Sequence, residues 1–168
     1  LSTLLGRSAL ADSLEIVHED DLKQRQATEL WANKLALAVE QNPAAIQITD
    51  LEGRTEYVND KFVETSGYAR AEAVGQIAGI LRPQTVGSEI YRELWETIRA
   101  GNTWRGELQN ERRDGTRYWE RVLISPIKDE DGVVRNFVAI KENITELREA
   151  QTRLQESESR FRGAMSVM

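Results

Sequence analysis

The chain has 168 residues, with 22 Lys+Arg against 28 Asp+Glu for a formal net charge of −6, one histidine and no cysteine. Lack of cysteine excludes disulfides, thiolate metal sites, Cys-ligated iron–sulfur clusters and a cysteine nucleophile, and a lone histidine, His18, excludes a two-histidine metal helix. The acidic balance argues against a partner bound through its nucleic-acid backbone, and the longest apolar run, Leu35 to Val39, is far short of the roughly 20 residues of a membrane span.

The length suits one domain with extensions. The chain begins at Leu1 without a basic-then-apolar leader, so a cytoplasmic piece of a larger protein is expected. Residues 1–41 form an N-terminal helical extension: Ala27, Trp31, Leu35 and Ala38 recur at helical spacing, and Leu30 and Leu37 widen the stripe. Asp20 or Asp21 is a candidate N-cap that would split this region into two helices, and Pro43 ends it.

From Ala44 the pattern changes to short alternating runs. Ala45–Thr49 and Thr55–Asn59 flank Asp50-Leu51-Glu52-Gly53 and read as a hairpin. Helical segments follow at Asp60–Ser66, Arg70–Val74 and Glu89–Ala100, the last ended by Gly101. Trp104–Arg112 and Thr116–Ile127 flank Asp114-Gly115, and a second turn, Asp129-Glu130-Asp131-Gly132, leads into Val133–Lys141. The order, two strands, helices, then three strands, predicts an α+β domain over 42–145: a five-stranded antiparallel sheet with helices over one face.

Residues 146–168 form a C-terminal connector helix leading to a further domain. Asn143 with Glu146 resembles a capping box, and Leu147, Leu154 and Phe161 repeat every seven residues, the seam of a parallel coiled coil or of a solvated connector. His18 reads as an exposed helix residue.

The order of elements and particular residues together resemble the PAS family of bacterial sensory modules, over about residues 37 to 147. The stretches that carry the resemblance are Ile48-Thr49-Asp50 with Gly53, Tyr57 to Phe62, Ser66-Gly67-Tyr68, Val74-Gly75, Arg112 to Gly115, Tyr118-Trp119, Pro126 to Asp129 and the closing Asn143-Ile144-Thr145. Glu158-Ser159-Arg160-Phe161-Arg162 resembles the lead-in to a second such domain, which gives Phe161 another role.

Within the family, histidine-ligated haem is not expected, because no histidine lies between 59 and 145. Light-oxygen-voltage domains carry a reactive cysteine in a stretch that aligns with Gly75-Gln76-Ile77-Ala78-Gly79-Ile80-Leu81, where Ala78 takes its place. Leu94-Trp95, Gly101, Trp104-x-Gly106, Asn110-x-Arg112 and Tyr118-Trp119 resemble the FAD-binding redox-sensor PAS domains of aerotaxis receptors and nitrogen-fixation regulators.

That resemblance implies non-covalent FAD, with FMN or no cofactor as alternatives, and cofactor contacts from Trp95, Trp104, Gly106, Leu108, Asn110, Tyr118 and Lys141. On an alternating strand Trp104, Gly106, Leu108 and Asn110 share one face, offering an aromatic plane, a close backbone and an amide. Taken singly, Trp95 and Trp104 read as core aromatics. Tyr118 and Trp119 face opposite ways, so one at most lines a pocket. Lys141 falls where light-sensing relatives carry a flavin-contacting glutamine; it would either compensate a reduced, anionic flavin or reach solvent at the strand end, and solvent is the favoured reading. Arg112-Arg113 reads as a solvated turn near the cofactor phosphates.

The function implied is a cytoplasmic redox or oxygen sensor that dimerises through its flanking helices and signals to an attached histidine kinase, cyclase or chemoreceptor module. The alternatives are a ligand-free dimerisation and relay module and a cysteine-less light sensor. No enzyme, metal site, nucleic-acid partner or membrane contact is expected, since no nucleophile and base pair or metal cluster is visible.

Overall fold

Ten segments of the sequence that alternate or recur at helical spacing fold as helices and strands, joined by one further turn. In the computed structural model, which describes residues 2–81 and 87–167, with side chains over 6–79 and 87–167, these are α1 (Ser2–Glu40), β1 (Ala45–Thr49), β2 (Thr55–Val58), α2 (Asp60–Ser66), α3 (Arg70–Ala73), a single 3₁₀ turn (Ala78–Leu81), α4 (Ser88–Arg99), β3 (Trp104–Glu111), β4 (Arg117–Lys128), β5 (Val134–Asn143) and α5 (Thr145–Ser166). The chain divides into two compact units, Leu1–Val39 and Glu40–Met168.

The first unit is a single helix, and the expected break at Asp20 or Asp21 does not occur. Instead of capping, Asp21 pairs with Arg25 at 2.8 Å and the preceding Glu19 with Lys23 at 2.7 Å. These pairs four residues apart support an uninterrupted helix. Trp31 and Leu35 are exposed on it, with the Lys34 ammonium 5.1 Å from the Trp31 ring centre. No described helix is long and apolar enough to cross a membrane.

In the second unit the five strands form one antiparallel sheet in the order β2-β1-β5-β4-β3. Register places Gln47 opposite Ala139 and Ala139 opposite Ile124, which in turn pairs with Trp104. One step along, Ala45, Lys141, Val122 and Gly106 are in line. Because side chains alternate across a pleated strand, these rows set one face of the sheet. That face meets α4 in a core of Leu94, Ile98, Trp104, Leu108, Val122 and Phe137. A second cluster, Ala45, Val58, Phe62 and Ala73, packs α2 and α3 over the β1–β2 side.

Two polar devices fix the helical layer. Asn59, fully buried, caps α2: its Oδ1 accepts from the Phe62 and Ile46 amides at 3.1 and 2.9 Å, and its Nδ2 donates to the Ala44 carbonyl at 3.0 Å. Glu40 accepts from the Arg70 guanidinium at 2.5 Å and from the Tyr57 hydroxyl, while Arg70 also reaches Asp60 at 2.8 Å. Arg70, then Tyr57, hold the Glu40 carboxyl at about 2, below its ordinary 4.5. A depressed carboxyl stabilises the fold fully above its unfolded value. The contribution should therefore fade as pH falls from 4.5 toward 2, and the fading should vanish in Glu40→Gln. Arg70→Ala should cost about 1–2 kcal/mol at neutral pH in urea unfolding, as for a partly exposed charged cluster.

The expected capping box at α5 is not formed: Asn143 Oδ1 instead accepts from the Thr145 amide and hydroxyl at 3.0 and 2.7 Å. Thr145 Oγ1 in turn accepts from the Trp119 amide at 2.9 Å, which ties the helix start to β4. Arg148 lies 3.9 Å over the Trp119 ring and 2.6 Å from Glu107. From Glu149 to Val167 every side chain is exposed, Leu154 and Phe161 by 61% and 68%.

Candidate ligand cavity on the inner face of the sheet

The β1–β2 turn brings Gly53 beneath the helical layer at φ +83°, and the Ala78 amide donates to its carbonyl at 2.8 Å. Thr55 exchanges amide bonds with Gln76 and Gly75, both 2.8 Å, so residues 75–78 run along β2 and close that edge. A Cβ on Gly53 would lie 2.6 Å from the Trp95 ring of α4. Trp95 stands edge-to-face with Phe137 at 6.1 Å, with the Arg99 guanidinium 4.8 Å from its ring centre.

Between this layer and the sheet lies a cavity of about 420 Å³, within the range of small-molecule sites, roughly 300–1,000 Å³. Its apolar wall includes Leu94, Trp95, Ile98, Leu108, Val122, Ile124 and Phe137, and its polar groups include Gln47, Thr49, Asn110 and Lys141 from the sheet. Of the residues expected at the site, the fold brings Trp95, Leu108, Asn110 and Lys141 together here.

Trp104, Gly106 and Tyr118 are not part of the wall. The Trp104 ring folds along its own strand over Gly106, where a Cβ would lie 2.4 Å from the indole. Gly106 thus makes room for a core aromatic. Tyr118 is buried beneath the Arg112 guanidinium, 4.5 Å away, and burial followed by the nearby Glu120 charge pushes its phenol well above the usual range. Arg112 donates to the Thr65 carbonyl at 2.9 Å and Arg113 pairs with Glu72 at 2.5 Å, so this turn is pinned to the helical layer and neither arginine is in the cavity wall.

Lys141 corrects the sequence reading most sharply. It does not reach solvent: only 8% of the residue is exposed, because β5 continues to Asn143 and buries the position in mid-strand. Its ammonium lies 5.4 Å from the Phe62 ring centre. Burial pushes its pKa below the ordinary 10.5, and the Glu120 carboxylate pulls it back up.

Glu120, 1% exposed, is a residue that sequence reasoning missed. It accepts from Asn110 Nδ2 at 2.5 Å, which leaves the Asn110 carbonyl oxygen as the acceptor available to the cavity. Gln47, also missed, donates to Thr55 Oγ1 at 2.8 Å and so likewise keeps its carbonyl for the cavity. For Glu120 the signal was present: it is polar on a strand face it shares with Tyr118, Val122 and Ile124.

Ala78 is in the wall, and the side chains of Ile80 and Leu81 in the aligned stretch lie outside the described residues. A chain without cysteine forms no thiol adduct there. Among the described residues no cluster of three His, Asp or Glu could hold a metal ion.

With this five-stranded sheet, its helical layer and its inner-face cavity, residues 43–146 match the family described as PAS domain. The chain belongs to the PAS domain family. It is 34% identical over 107 residues to the nitrogen fixation regulatory protein of Klebsiella oxytoca, covering 64% of this chain and 22% of that protein. It is 31% identical over 98 residues to the aerotaxis receptor of Escherichia coli K12, covering 58% and 19%. Among solved structures, the light-oxygen-voltage domain of an Erythrobacter litoralis blue-light-activated histidine kinase matches with a TM-score of 0.59 and 27% identity, over 62% of this chain and 99% of that one. The chain thus spans about a fifth of the length of these curated relatives.

Proposed function

We propose that this PAS domain is a non-catalytic sensor that holds a flavin, FAD in the first instance, without a covalent bond and reports redox or oxygen state to an attached output domain. The observation that carries the reading is the cavity, which combines an aromatic and aliphatic wall with a few convergent polar groups. Such a site fits a tricyclic ring with one polar edge. Trp95, Leu108 and Phe137 would enclose the ring, and Gln47, Asn110 and Lys141 would meet its polar edge. The bound flavin would supply reversible electron uptake; the protein supplies orientation and electrostatics. Relatives named for nitrogen-fixation regulation and aerotaxis support a sensory role.

Asn110 is the residue through which a change in the ligand would reach the fold. If its carbonyl must change partners, its bond to Glu120 is disturbed, and Glu120 adjoins Trp119, whose backbone holds Ile144 and Thr145 at the start of α5. One hydrogen bond gained or lost is worth about 0.5–1.5 kcal/mol, enough to bias two closely balanced arrangements. The exposed Leu147, Leu154 and Phe161 support a homodimer along α5. The sensor would act in the cytoplasm, next to a kinase, cyclase or chemoreceptor module.

The test is direct. Purified protein, or protein reconstituted with FAD or FMN, should be yellow and bleach with dithionite, and Asn110→Ala should lose flavin far more readily than Trp31→Ala. A colourless protein that takes up neither flavin would contradict the proposal. Leu154→Glu with Phe161→Glu should raise the monomer fraction in light scattering, and an unchanged fraction would count against the α5 dimer.

A further inference from the structure

A buried ammonium is a costly thing to leave without a partner. Lys141 is more than nine-tenths buried, borders the cavity, and makes no hydrogen bond or ion pair with any described residue; it has the Phe62 ring at 5.4 Å and the field of Glu120. Glu120 acts on it through its field and not by contact, and its carboxylate accepts from Asn110 at 2.5 Å. Its strand neighbours across the sheet, Ala45 and Val122, are apolar. The ammonium therefore has only the cavity in which to find a partner, and a largely desolvated charge that lacks one costs stability.

We infer that Lys141 is the charge-selecting residue of the cavity, so that the site holds an aromatic ligand whose polar edge bears negative charge more tightly than the neutral form of the same ring. Two further features set the polarity of that edge. Asn110 and Gln47 each spend one amide N–H on Glu120 and Thr55 and keep a carbonyl acceptor and a second N–H, while Lys141 offers only donors. The ligand edge that answers this pattern places an N–H beside an acceptor or anionic group. For a flavin, which the inference takes from the reading above, the preferred form is the reduced ring: two electrons and one proton taken up leave it with one negative charge.

The experiment is an anaerobic titration of the ligand-free protein at mildly alkaline pH with oxidised FAD and with FAD reduced by dithionite, which supplies the electrons. The wild-type protein should bind the reduced form about tenfold or more tighter, the scale of a hydrogen bond to a charged group. Lys141→Gln and Lys141→Met should bring the two affinities close to equality. Equal affinities in the wild type, or a preference that persists in both variants, would overturn the inference while leaving the flavin reading intact. Failure of the wild type to bind either form would defeat the flavin reading and the inference with it. Where one variant does not fold, the wild-type ratio and the other variant decide.

Discussion

Gly53→Ala is expected to destabilise the sheet unit by about 2–6 kcal/mol and to distort the cavity. Two effects add. The residue sits at φ +83°, where a side chain costs about 1–3 kcal/mol. Its Cβ would also lie 2.6 and 2.8 Å from Trp95 ring atoms, and overpacking of that kind costs about 1–3 kcal/mol. Trp95 cannot yield freely, because its ring is set between Phe137 and Arg99. Gly132→Ala separates the two effects, since that glycine has φ +79° with nothing within 4 Å of the added carbon. Urea unfolding should show Gly53→Ala as the more damaging, and it alone should weaken ligand binding. Equal losses would mean that Trp95 does not brace the turn.

Asn59→Ala should cost about 3–7 kcal/mol. The helix cap alone is worth about 1 kcal/mol. The substitution also strands the Ile46 amide and the Ala44 carbonyl, at about 1–3 kcal/mol for each buried group left unsatisfied. Asn59→Asp keeps the acceptor and loses the donor, but adds a buried charge, so it should stay well below wild type in stability. A loss under about 1 kcal/mol for Asn59→Ala, by the shift of the urea midpoint, would show that water replaces the amide in β1 and α2.

Much of this fold was legible because it is encoded locally. The alternation of Ala45–Thr49 and Trp104–Asn110 and the turn residues at 50–53, 114–115 and 129–132 mark five strands within a residue or two of where they lie. The same alternation put Leu108 and Asn110 on the inner face, and both reach the cavity. It could not separate them from Trp104 and Gly106, which share that face; only the rotamer of Trp104, laid over Gly106, takes those two out of the wall.

What failed was what depends on distant partners. Lys141 read as a strand-end side chain because its burial is imposed by β1 and β4 on either side and by Phe62 above, none of them near it in sequence. Glu120 carries no local signal of the bond it makes, because its partner, Asn110, belongs to the neighbouring strand. Asp20 and Asp21 suit a helix start, but pairs four residues apart, Glu19 with Lys23 and Asp21 with Arg25, accompany an unbroken helix.

The proposed flavin site in the inner-face cavity is tested by titrating FAD into ligand-free wild-type protein and into Ala139→Trp, which fills the cavity from the middle of β5, with a thermal melt of each to verify folding. The wild type should saturate at one FAD per chain and the folded variant should bind at least about a hundredfold more weakly, as expected when a bulky side chain takes the ligand's volume. Equal affinity in the two proteins, or no saturable binding to the wild type, would contradict it.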